Sequence, residues 1–216
     1  MGSQSFYQGV AFGLALGVGM TVWRGCIEME PADGGNSSSS RSRPSTSTAQ
    51  FGLDQVTLIC VVGVPGSGKT TQAKRMQERF KGFELLSDVD SVQKLEEAVK
   101  SRRARPEAKG KETQLIVDNV PLALEDTRKL EASLCPVFVV LYFDLPKEIS
   151  LKRGNDGREW DQANERLRPL VEHFRNRGNI LEISADWPSA DEVWEQVEAK
   201  TEQVLELKAM GEDVSV

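Results

Sequence analysis

The sequence predicts an α/β fold of three layers, in which helices cover both faces of a five-stranded parallel sheet. From Thr57 onward, short apolar runs alternate with longer segments rich in helix-forming residues. The apolar runs show little polar alternation, which indicates strands that are buried on both faces of a sheet. The predicted strands are 57–63, 83–86, 114–118, 137–143 and 179–184.

Helices are predicted in the segments between these strands and after the last one. A final helix begins after Ser189, because Ser189 and Glu192 have the spacing of a capping box. Val193, Val197 and Val204 would form its apolar face. The helices predicted between strands are 69–80, 89–103, 122–134, 147–153 and 161–175.

Composition and charge exclude several classes of function. The chain has 216 residues, of which 39% are hydrophobic and 28% charged, as in an ordinary globular protein. The net charge of −6 gives no overall attraction to nucleic acid. His173 is the only histidine, which argues against a multi-histidine metal site and against a His-based triad. The cysteines are odd in number and widely spaced (Cys26, Cys60 and Cys135), which argues against a disulfide framework and favours a reducing compartment.

A hydrophobic segment near the N-terminus predicts a membrane anchor. Residues 6–23 form an apolar run without a charged side chain. The run is close to the about 20 residues, range roughly 17–25, that a transmembrane helix needs. Gly9, Gly13 and Gly17 would share one helical face, which predicts an anchor-mediated dimer. The anchor segment is expected to span residues 1–30.

A flexible linker is predicted between the anchor and the folded domain. Residues 31–50 are rich in Ser, Thr, Gly and Pro and contain no aliphatic cluster that could form a core. Residues 51–216 remain as the folded domain. Arg24, Arg41 and other basic residues after the anchor favour a cytosolic location for that domain. A mitochondrial location is the alternative, although no arginine precedes Arg24, as a transit peptide would require.

One glycine-rich segment carries the strongest functional signal. Residues 63–70, GVPGSGKT, fit the pattern G-x-x-x-x-G-K-[ST] directly after a predicted strand and before a predicted helix. In such a loop, backbone N–H groups and the start of the helix bind phosphate. Lys69 is expected to reach the outer phosphates of ATP, and the hydroxyl of Thr70 is expected to bind Mg²⁺. The predicted nucleotide-binding residues are Gly63, Pro65, Gly66, Ser67, Gly68, Lys69, Thr70 and Thr71.

Two aspartates follow predicted strands at the same edge of the sheet. Asp118 ends the strand 114–118 and is predicted to bind Mg²⁺ with Thr70, directly or through water. The other interpretation is that Asp118 caps residues 119–122. Asp144 ends another strand, where capping of the helix 147–153 is an equally good interpretation.

Arginines are concentrated in a stretch flanked by two predicted helices. Phosphoryl transfer depends on positioning and on neutralising charge, so arginines that close over the transferred group suit this chemistry. An exposed charged surface is the alternative interpretation. The predicted catalytic residues are Lys69, Arg153, Arg158, Arg166 and Arg168.

Five segments resemble, in order, the nucleoside monophosphate kinases, a family that includes adenylate kinase and UMP-CMP kinase. The segments lie between about residues 56 and 199 and are GVPGSGKTTQAKRM, IVDNVPLALEDTRKLE, VVLYFDLPKEISLKRG, GREWD and ADWPSADEVWEQV. The resemblance implies a P-loop kinase fold with ATP across the loop and a lid, which is short here. It also implies that Arg153 and Arg158 are lid arginines, and that Arg166 or Arg168 is the arginine of the following helix.

The acceptor side departs from this family. Leu122 stands where the family has an arginine that binds the acceptor phosphate, and the segment 87–93 lacks a second one. The stretch 87–118 is too short for the usual acceptor domain. Ser87, Asp90 and Asp118 are the predicted acceptor-binding residues. The arginines that could substitute for the missing ones are Arg102, Arg103, Arg105 and Arg128.

Three functions are compatible with these features. The first is Mg²⁺-dependent transfer of a phosphoryl group from ATP to a nucleoside monophosphate such as AMP, UMP or CMP, without a nucleic-acid partner. The second is a catalytically degenerate ATP-binding protein that serves as a membrane-anchored interaction module. The third is a kinase of another small acceptor or a nucleotide hydrolase.

Overall fold

The computed structural model describes residues 49–87, 89–118 and 123–212. The strands are β1 (Val56–Gly63), β2 (Phe83–Leu86), β3 (Thr113–Asp118), β4 (Val139–Asp144) and β5 (Ile180–Ser184). The helices are α1 (Lys69–Arg79), α2 (Val92–Arg103), α3 (Leu124–Ser133), α4 (Lys147–Lys152), α5 (Gly157–Arg177) and α6 (Ala190–Met210), with a 3₁₀ turn at Pro106–Ala108.

The five strands form one parallel sheet in the order β2-β3-β1-β4-β5. β1 lies in the centre, where it pairs with β3 on one side and β4 on the other. The chain therefore leaves β1 towards one half of the sheet and later returns to the other half. In open parallel sheets, ligands bind beyond the carboxyl ends of the strands at such a reversal of strand order.

Helices cover both faces of the sheet, as predicted. Alternate residues of β1 point to opposite faces. Leu58 and Cys60 belong to a core cluster with residues of α2, α3 and α5, whereas Ile59 and Val61 belong to a second cluster with residues of α1 and α6. The apolar runs lack polar alternation because both faces of the central strand are buried.

The strand predictions agree with the structure within two residues at each end, while several helices begin elsewhere than predicted. The last helix has the predicted capping box at Ser189 and Glu192. α2 begins at Val92 because the Ser91 side chain caps it by accepting a hydrogen bond from the Lys94 N–H. α5 begins at Gly157, four residues before the prediction, because the Asp156 side chain accepts from the Arg158 N–H.

The predicted membrane anchor needs correction. α5 and α6 have 21 residues each, which is long enough to span a bilayer, but both carry many charged side chains. Among the residues that the structure describes, no helix combines the length and the apolar character that a membrane span requires. This finding contradicts the predicted transmembrane helix and the membrane-anchored location that depended on it. Residues 6–23, with the glycines of the predicted dimer contact, lie outside the described residues.

The predicted division of the chain stays a prediction. The segments 1–30 and 31–50 lie almost wholly outside the described residues. The proposed folded domain, 51–216, includes all six helices and all five strands given above.

Candidate phosphate-transfer site

The glycine-rich loop connects the central strand to the first helix at the carboxyl edge of the sheet. β1 ends at Gly63 and α1 begins at Lys69. Gly66 and Gly68 both have a φ of 77°, in the left-handed region that favours glycine. A Cβ atom added to Gly68 would meet no other heavy atom within 4 Å, so the backbone at this position faces open space. The loop thus has the form that allows backbone N–H groups to converge on an anion.

Side chains from α4 and the segment after it contact this loop. Ser150, which is fully buried, donates a hydrogen bond from Oγ to the Pro65 carbonyl oxygen at 2.9 Å. Arg153 donates from Nη1 to the Gly66 carbonyl oxygen at 2.9 Å. A Cβ built on Gly66 would lie 2.1 Å from Nδ2 of Asn155, so this side chain packs directly against the loop. Protein side chains thus bind the carbonyl oxygens of Pro65 and Gly66. The side chain of Asn155 leaves no room for a Cβ atom at position 66, so glycine is required there by packing as well as by its φ angle.

Lys69, the first residue of α1, and Asp118, the last residue of β3, are close enough to interact electrostatically. Asp118 is paired in register with Val61 of β1 and is only 2% exposed. Burial lowers the pKa of the Lys69 ammonium group from its usual value, whereas the nearby Asp118 carboxylate acts to raise it. A partly buried ammonium group that remains close to one carboxylate is suited to bind further negative charge.

Two polar atoms in this part of the described chain are buried without a hydrogen-bond partner. They are Oγ of Ser67, in the loop, and Oδ1 of Asp118. Buried polar atoms are usually satisfied, so unpaired ones need an explanation, such as a bound ion or ligand. A loop hydroxyl and a carboxylate are groups that can bind phosphate and a divalent cation, respectively.

A cavity of about 1000 Å³ opens beside the loop. Its walls come from the ends of β1, from the segment before α2, from the start of α3 and from the middle of α5. Five of the predicted site residues line it: Gly63, Lys69, Ser87, Asp90 and Arg166. Its apolar lining includes Val61, Val62, Val89, Ala123, Leu124, Ala163, Leu167 and Pro169. The remaining charged lining residues are Lys94, Glu125 and Glu165.

The four predicted catalytic arginines occupy different places. Arg166 lines the cavity, whereas Arg158 and Arg168 are exposed on α5 and do not line it. Arg153 lies against the phosphate loop, but its guanidinium group is bound by carbonyl oxygens of the protein. Thr70 and Thr71 are exposed in the first turn of α1.

The GREWD segment, residues 157–161, forms the start of α5. Nε1 of Trp160 donates to the Leu145 carbonyl oxygen at 3.0 Å. Nζ of Lys147 donates to Oδ2 of Asp161 at 2.6 Å. Only residues 153–156 lie between the two helices, so the lid is short, as predicted. Pro146, and not Asp144, is the residue that precedes the first turn of α4, so the capping interpretation of Asp144 is wrong.

Three of the arginines considered as substitutes on the acceptor side lie elsewhere. Arg102 and Arg105 form ion pairs with Glu84, near the start of β2. Arg103 donates to carbonyl oxygens in the turn before β3. These side chains lie toward the amino edge of the sheet, whereas the phosphate loop lies at the carboxyl edge. Arg128 is exposed on α3, within electrostatic range of His173. Leu122 lies outside the described residues.

Sequence reasoning did not identify three residues near the site: Lys94, Ser150 and Asn155. Lys94 could have been found from its position, because a helix predicted to start after 83–86 begins at the ligand-binding edge of the sheet. For Ser150 and Asn155, the neighbouring residues in the sequence give no indication of a contact with the phosphate loop. Their contacts join residues that are far apart in the sequence, since Ser150 is 85 positions from Pro65.

Comparisons with known proteins agree with this architecture. No protein-family model matches the chain. Adenylate kinase 1 of Schistosoma mansoni is 25% identical over 183 residues, which cover 67% of this chain and 92% of that protein. Uridylate kinase of Schizosaccharomyces pombe is 26% identical, over 60% of this chain and 89% of its own length. UMP-CMP kinase 3 of Oryza sativa subsp. japonica is 28% identical, with coverage of 69% and 87%. Together with the phosphate loop at the carboxyl edge of a parallel sheet, these relatives show that the chain is similar to the nucleoside monophosphate kinases.

Proposed function

We propose that this chain transfers the γ-phosphoryl group of ATP to a nucleoside monophosphate of the AMP or UMP/CMP type. The products are ADP and a nucleoside diphosphate. Relatives named adenylate kinase, uridylate kinase and UMP-CMP kinase support this class of reaction. The single observation that carries the proposal is the pairing of the phosphate loop and Lys69 with a cavity large enough for a second nucleotide.

The phosphate loop binds the donor. Backbone N–H groups between Val64 and Lys69 bind phosphate oxygens of ATP, and the N-terminus of α1 adds a partial positive charge. The unpaired hydroxyl of Ser67 supports this role, because a phosphate oxygen would satisfy it. Lys69 binds the outer phosphates, since it begins α1 directly after the loop and lines the cavity.

Thr70 and Asp118 are the residues that would hold Mg²⁺, directly or through water. The buried and unpaired Oδ1 of Asp118 supports this assignment. When bound, the cation neutralises part of the charge on the β- and γ-phosphates.

The acceptor binds in the cavity, where the apolar residues contact its base and Ser87 forms a polar contact. Asp90, also in the cavity lining, accepts a hydrogen bond from Lys94. A phosphate oxygen of the acceptor forms a bond with the γ-phosphorus of ATP. The bond from that phosphorus to the bridging oxygen breaks, and ADP leaves with the electron pair. The chain needs no nucleophile of its own. Arg166 is the one predicted catalytic arginine that lines the cavity, and its positive charge stabilises the transferred group.

Arg153 supports catalysis indirectly, because its guanidinium group orders the phosphate loop through Gly66. Arg158 is exposed in the first turn of α5, directly after the short lid, and Arg168 is exposed farther along the same helix. We assign them a role in lid closure over the bound nucleotides, in which the exposed side chains move towards the phosphates.

The experiment that tests this function offers AMP, UMP, CMP and GMP separately to the full chain with ATP and Mg²⁺, and resolves the nucleotide products. UMP or CMP should give its diphosphate together with an equal amount of ADP, or AMP should give two ADP for each ATP consumed. Lys69→Met should abolish the reaction. Lys74→Met, at an exposed lysine of the same helix, is the matched control and should retain activity. ADP formation without any acceptor dependence would contradict the proposal.

A further inference from the structure

The cavity contains a cation that the sequence analysis did not assign. Lys94 lies in the first turn of α2 and lines the same cavity as Lys69 and Arg166. In the described part of the chain, these are the three cationic side chains among the lining residues. Lys69 belongs to the donor loop. An acceptor with a doubly charged phosphate therefore has Lys94 and Arg166 as its available partners.

We propose that Lys94 binds the phosphate group of the acceptor and takes the place of the arginines that this chain lacks. The nature of the acceptor rests on the proposed function, while the assignment of Lys94 rests on the geometry of the cavity. Without the acceptor, the Lys94 ammonium group is paired with a carboxylate, and the acceptor phosphate takes the place of that carboxylate when it binds. That carboxylate is Asp90, whose Oδ2 atom accepts a hydrogen bond from Nζ of Lys94 at 2.6 Å.

The position of Lys94 is fixed by the way α2 begins. β2 ends at Leu86 and α2 begins at Val92, so the start of α2 lies at the same edge of the sheet as the phosphate loop. The Ser91 side chain accepts the N–H of Lys94 at 3.3 Å, which orders the first turn. The start of a helix also carries a partial positive charge, which adds to that of the ammonium group.

The pair between Lys94 and Asp90 can open readily. The side chains of Lys94 and Asp90 are 57% and 70% exposed, respectively, and such exposed pairs are weak. The hydrogen bond from Lys94 lowers the pKa of Asp90, so the carboxylate remains charged at neutral pH. A phosphate dianion carries more negative charge than one carboxylate and attracts the ammonium group more strongly.

The surroundings favour an acceptor whose phosphate lies between α2 and α5. Arg166 lines the cavity from α5, and Lys94 lines it from α2. Asp90, Glu125 and Glu165 also line the cavity and balance its three cations, so the lining has no excess positive charge. Specific contacts with the two cations, and not a general positive field, must therefore bind the phosphate.

The test compares Lys94→Gln with Lys100→Gln in the full chain. Lys100 is the matched control, because it lies on the same helix and forms an (i, i+4) pair with Glu96 but does not line the cavity. Lys94→Gln should raise the KM for the monophosphate at least about 10-fold, the effect of losing about 1.4 kcal/mol of binding. The KM for ATP should stay unchanged, and Lys100→Gln should match the wild type. Lys94→Arg should recover most of the affinity.

A second arm measures binding alone. By equilibrium dialysis or calorimetry, Lys94→Gln should weaken binding of the monophosphate and leave binding of the corresponding nucleoside unchanged. Asp90→Asn should tighten monophosphate binding severalfold in the wild type and have no such effect in the Lys94→Gln background. Equal binding of the monophosphate by Lys94→Gln and Lys100→Gln would overturn the assignment.

This arm also separates the two proposals. If the wild type binds a monophosphate through Lys94 but forms no diphosphate, the proposed kinase reaction fails and the assignment of Lys94 stands. If diphosphate forms and Lys94→Gln is unaffected, the reaction stands and the assignment of Lys94 fails. If no monophosphate binds to the wild type, both are wrong.

Discussion

Arg153 donates a hydrogen bond from Nη1 to the carbonyl oxygen of Gly66 at 2.9 Å. The same guanidinium group donates from Nη2 to the carbonyl oxygens of Ala185 and Trp187, after β5, at 2.9 and 3.3 Å. Arg153 therefore connects the short lid, the phosphate loop and the segment before α6. A planar guanidinium group with several donors can make such a connection, whereas lysine cannot.

The first prediction concerns this connection. Arg153→Met should raise the KM for ATP about 10-fold, equivalent to about 1.4 kcal/mol, because the Gly66 segment loses an external support. The effect is expected to be moderate because the Arg153 side chain is partly exposed and water can replace some of its bonds. Steady-state kinetics with varied ATP measures it. Lys152→Met, at the exposed neighbouring residue, is the control, and an equal effect there would contradict this role for Arg153.

The second prediction separates the two left-handed glycines of the loop. Gly68→Ala should cost only the backbone strain of a left-handed alanine, roughly 1–2 kcal/mol, because no atom lies within 4 Å of the added Cβ. Gly66→Ala should cost the same strain, and its added Cβ would also clash with Nδ2 of Asn155 at 2.1 Å. Gly66→Ala should therefore lower the free energy of unfolding more than Gly68→Ala does, as measured by urea denaturation.

A second substitution tests the cause. Asn155→Ala should recover part of the stability lost in Gly66→Ala, because it removes the side chain that the new methyl group meets. The same substitution should not improve Gly68→Ala. If Asn155→Ala rescues both variants or neither, the contact with Asn155 is not the reason for the difference.

The third prediction concerns the buried hydroxyl beneath the loop. Ser150→Ala removes the partner of the Pro65 carbonyl oxygen and should lower the free energy of unfolding by about 1–3 kcal/mol. Chemical denaturation of the purified variant measures the change. Ser133→Ala is a control, since Ser133 is exposed and its hydrogen bond to Glu96 lies at the surface. An equal decrease in the free energy of unfolding in Ser133→Ala would contradict this role of Ser150.

The fourth prediction uses the only histidine of the chain. Partial burial, followed by the charges of Arg177 and Arg128, lowers the pKa of His173 below its usual 6.5, although Glu131 acts in the opposite direction. The folded chain therefore binds a proton at this site less readily than the unfolded chain does. The contribution of His173 to the free energy of unfolding should decrease as the pH falls from above 6.5 through the lowered pKa.

An NMR titration of the single imidazole should give a midpoint below 6.5, and Arg177→Gln should shift it upward. Unfolding experiments on the wild type and His173→Gln between pH 5 and 7.5 test the consequence for stability. A midpoint at or above 6.5 in the folded chain would contradict the prediction.

Local patterns in the sequence were sufficient to predict most of the fold. The four residues of β2 and the capping box at Ser189 could be located because each depends on neighbouring residues. The start of α5 was predicted too late, because GREWD looks like a charged lid segment until Asp156 is recognised as its cap. The phosphate loop was predictable because its chemistry is contained in eight consecutive residues.

The rest of the site depends on contacts between distant segments. The sequence pattern predicted a role for Arg153 at the nucleotide, but it could not indicate that carbonyl oxygens from Gly66, Ala185 and Trp187 bind its side chain. Arg102 and Arg103 looked equivalent to other arginines in the sequence. Their helix begins at the carboxyl edge of the sheet and carries them to the opposite edge, where they bind Glu84 and the turn before β3.

The most direct test of the proposed reaction is the yield of nucleoside diphosphate per ADP formed, in the wild type and in Lys69→Met. With ATP, Mg²⁺ and each monophosphate offered in turn, we expect equal amounts of diphosphate and ADP from UMP or CMP, or two ADP for each ATP consumed with AMP. We expect no diphosphate from Lys69→Met and normal turnover from Lys74→Met. Tight binding of ATP to the wild type without diphosphate from any acceptor would contradict a kinase at this site.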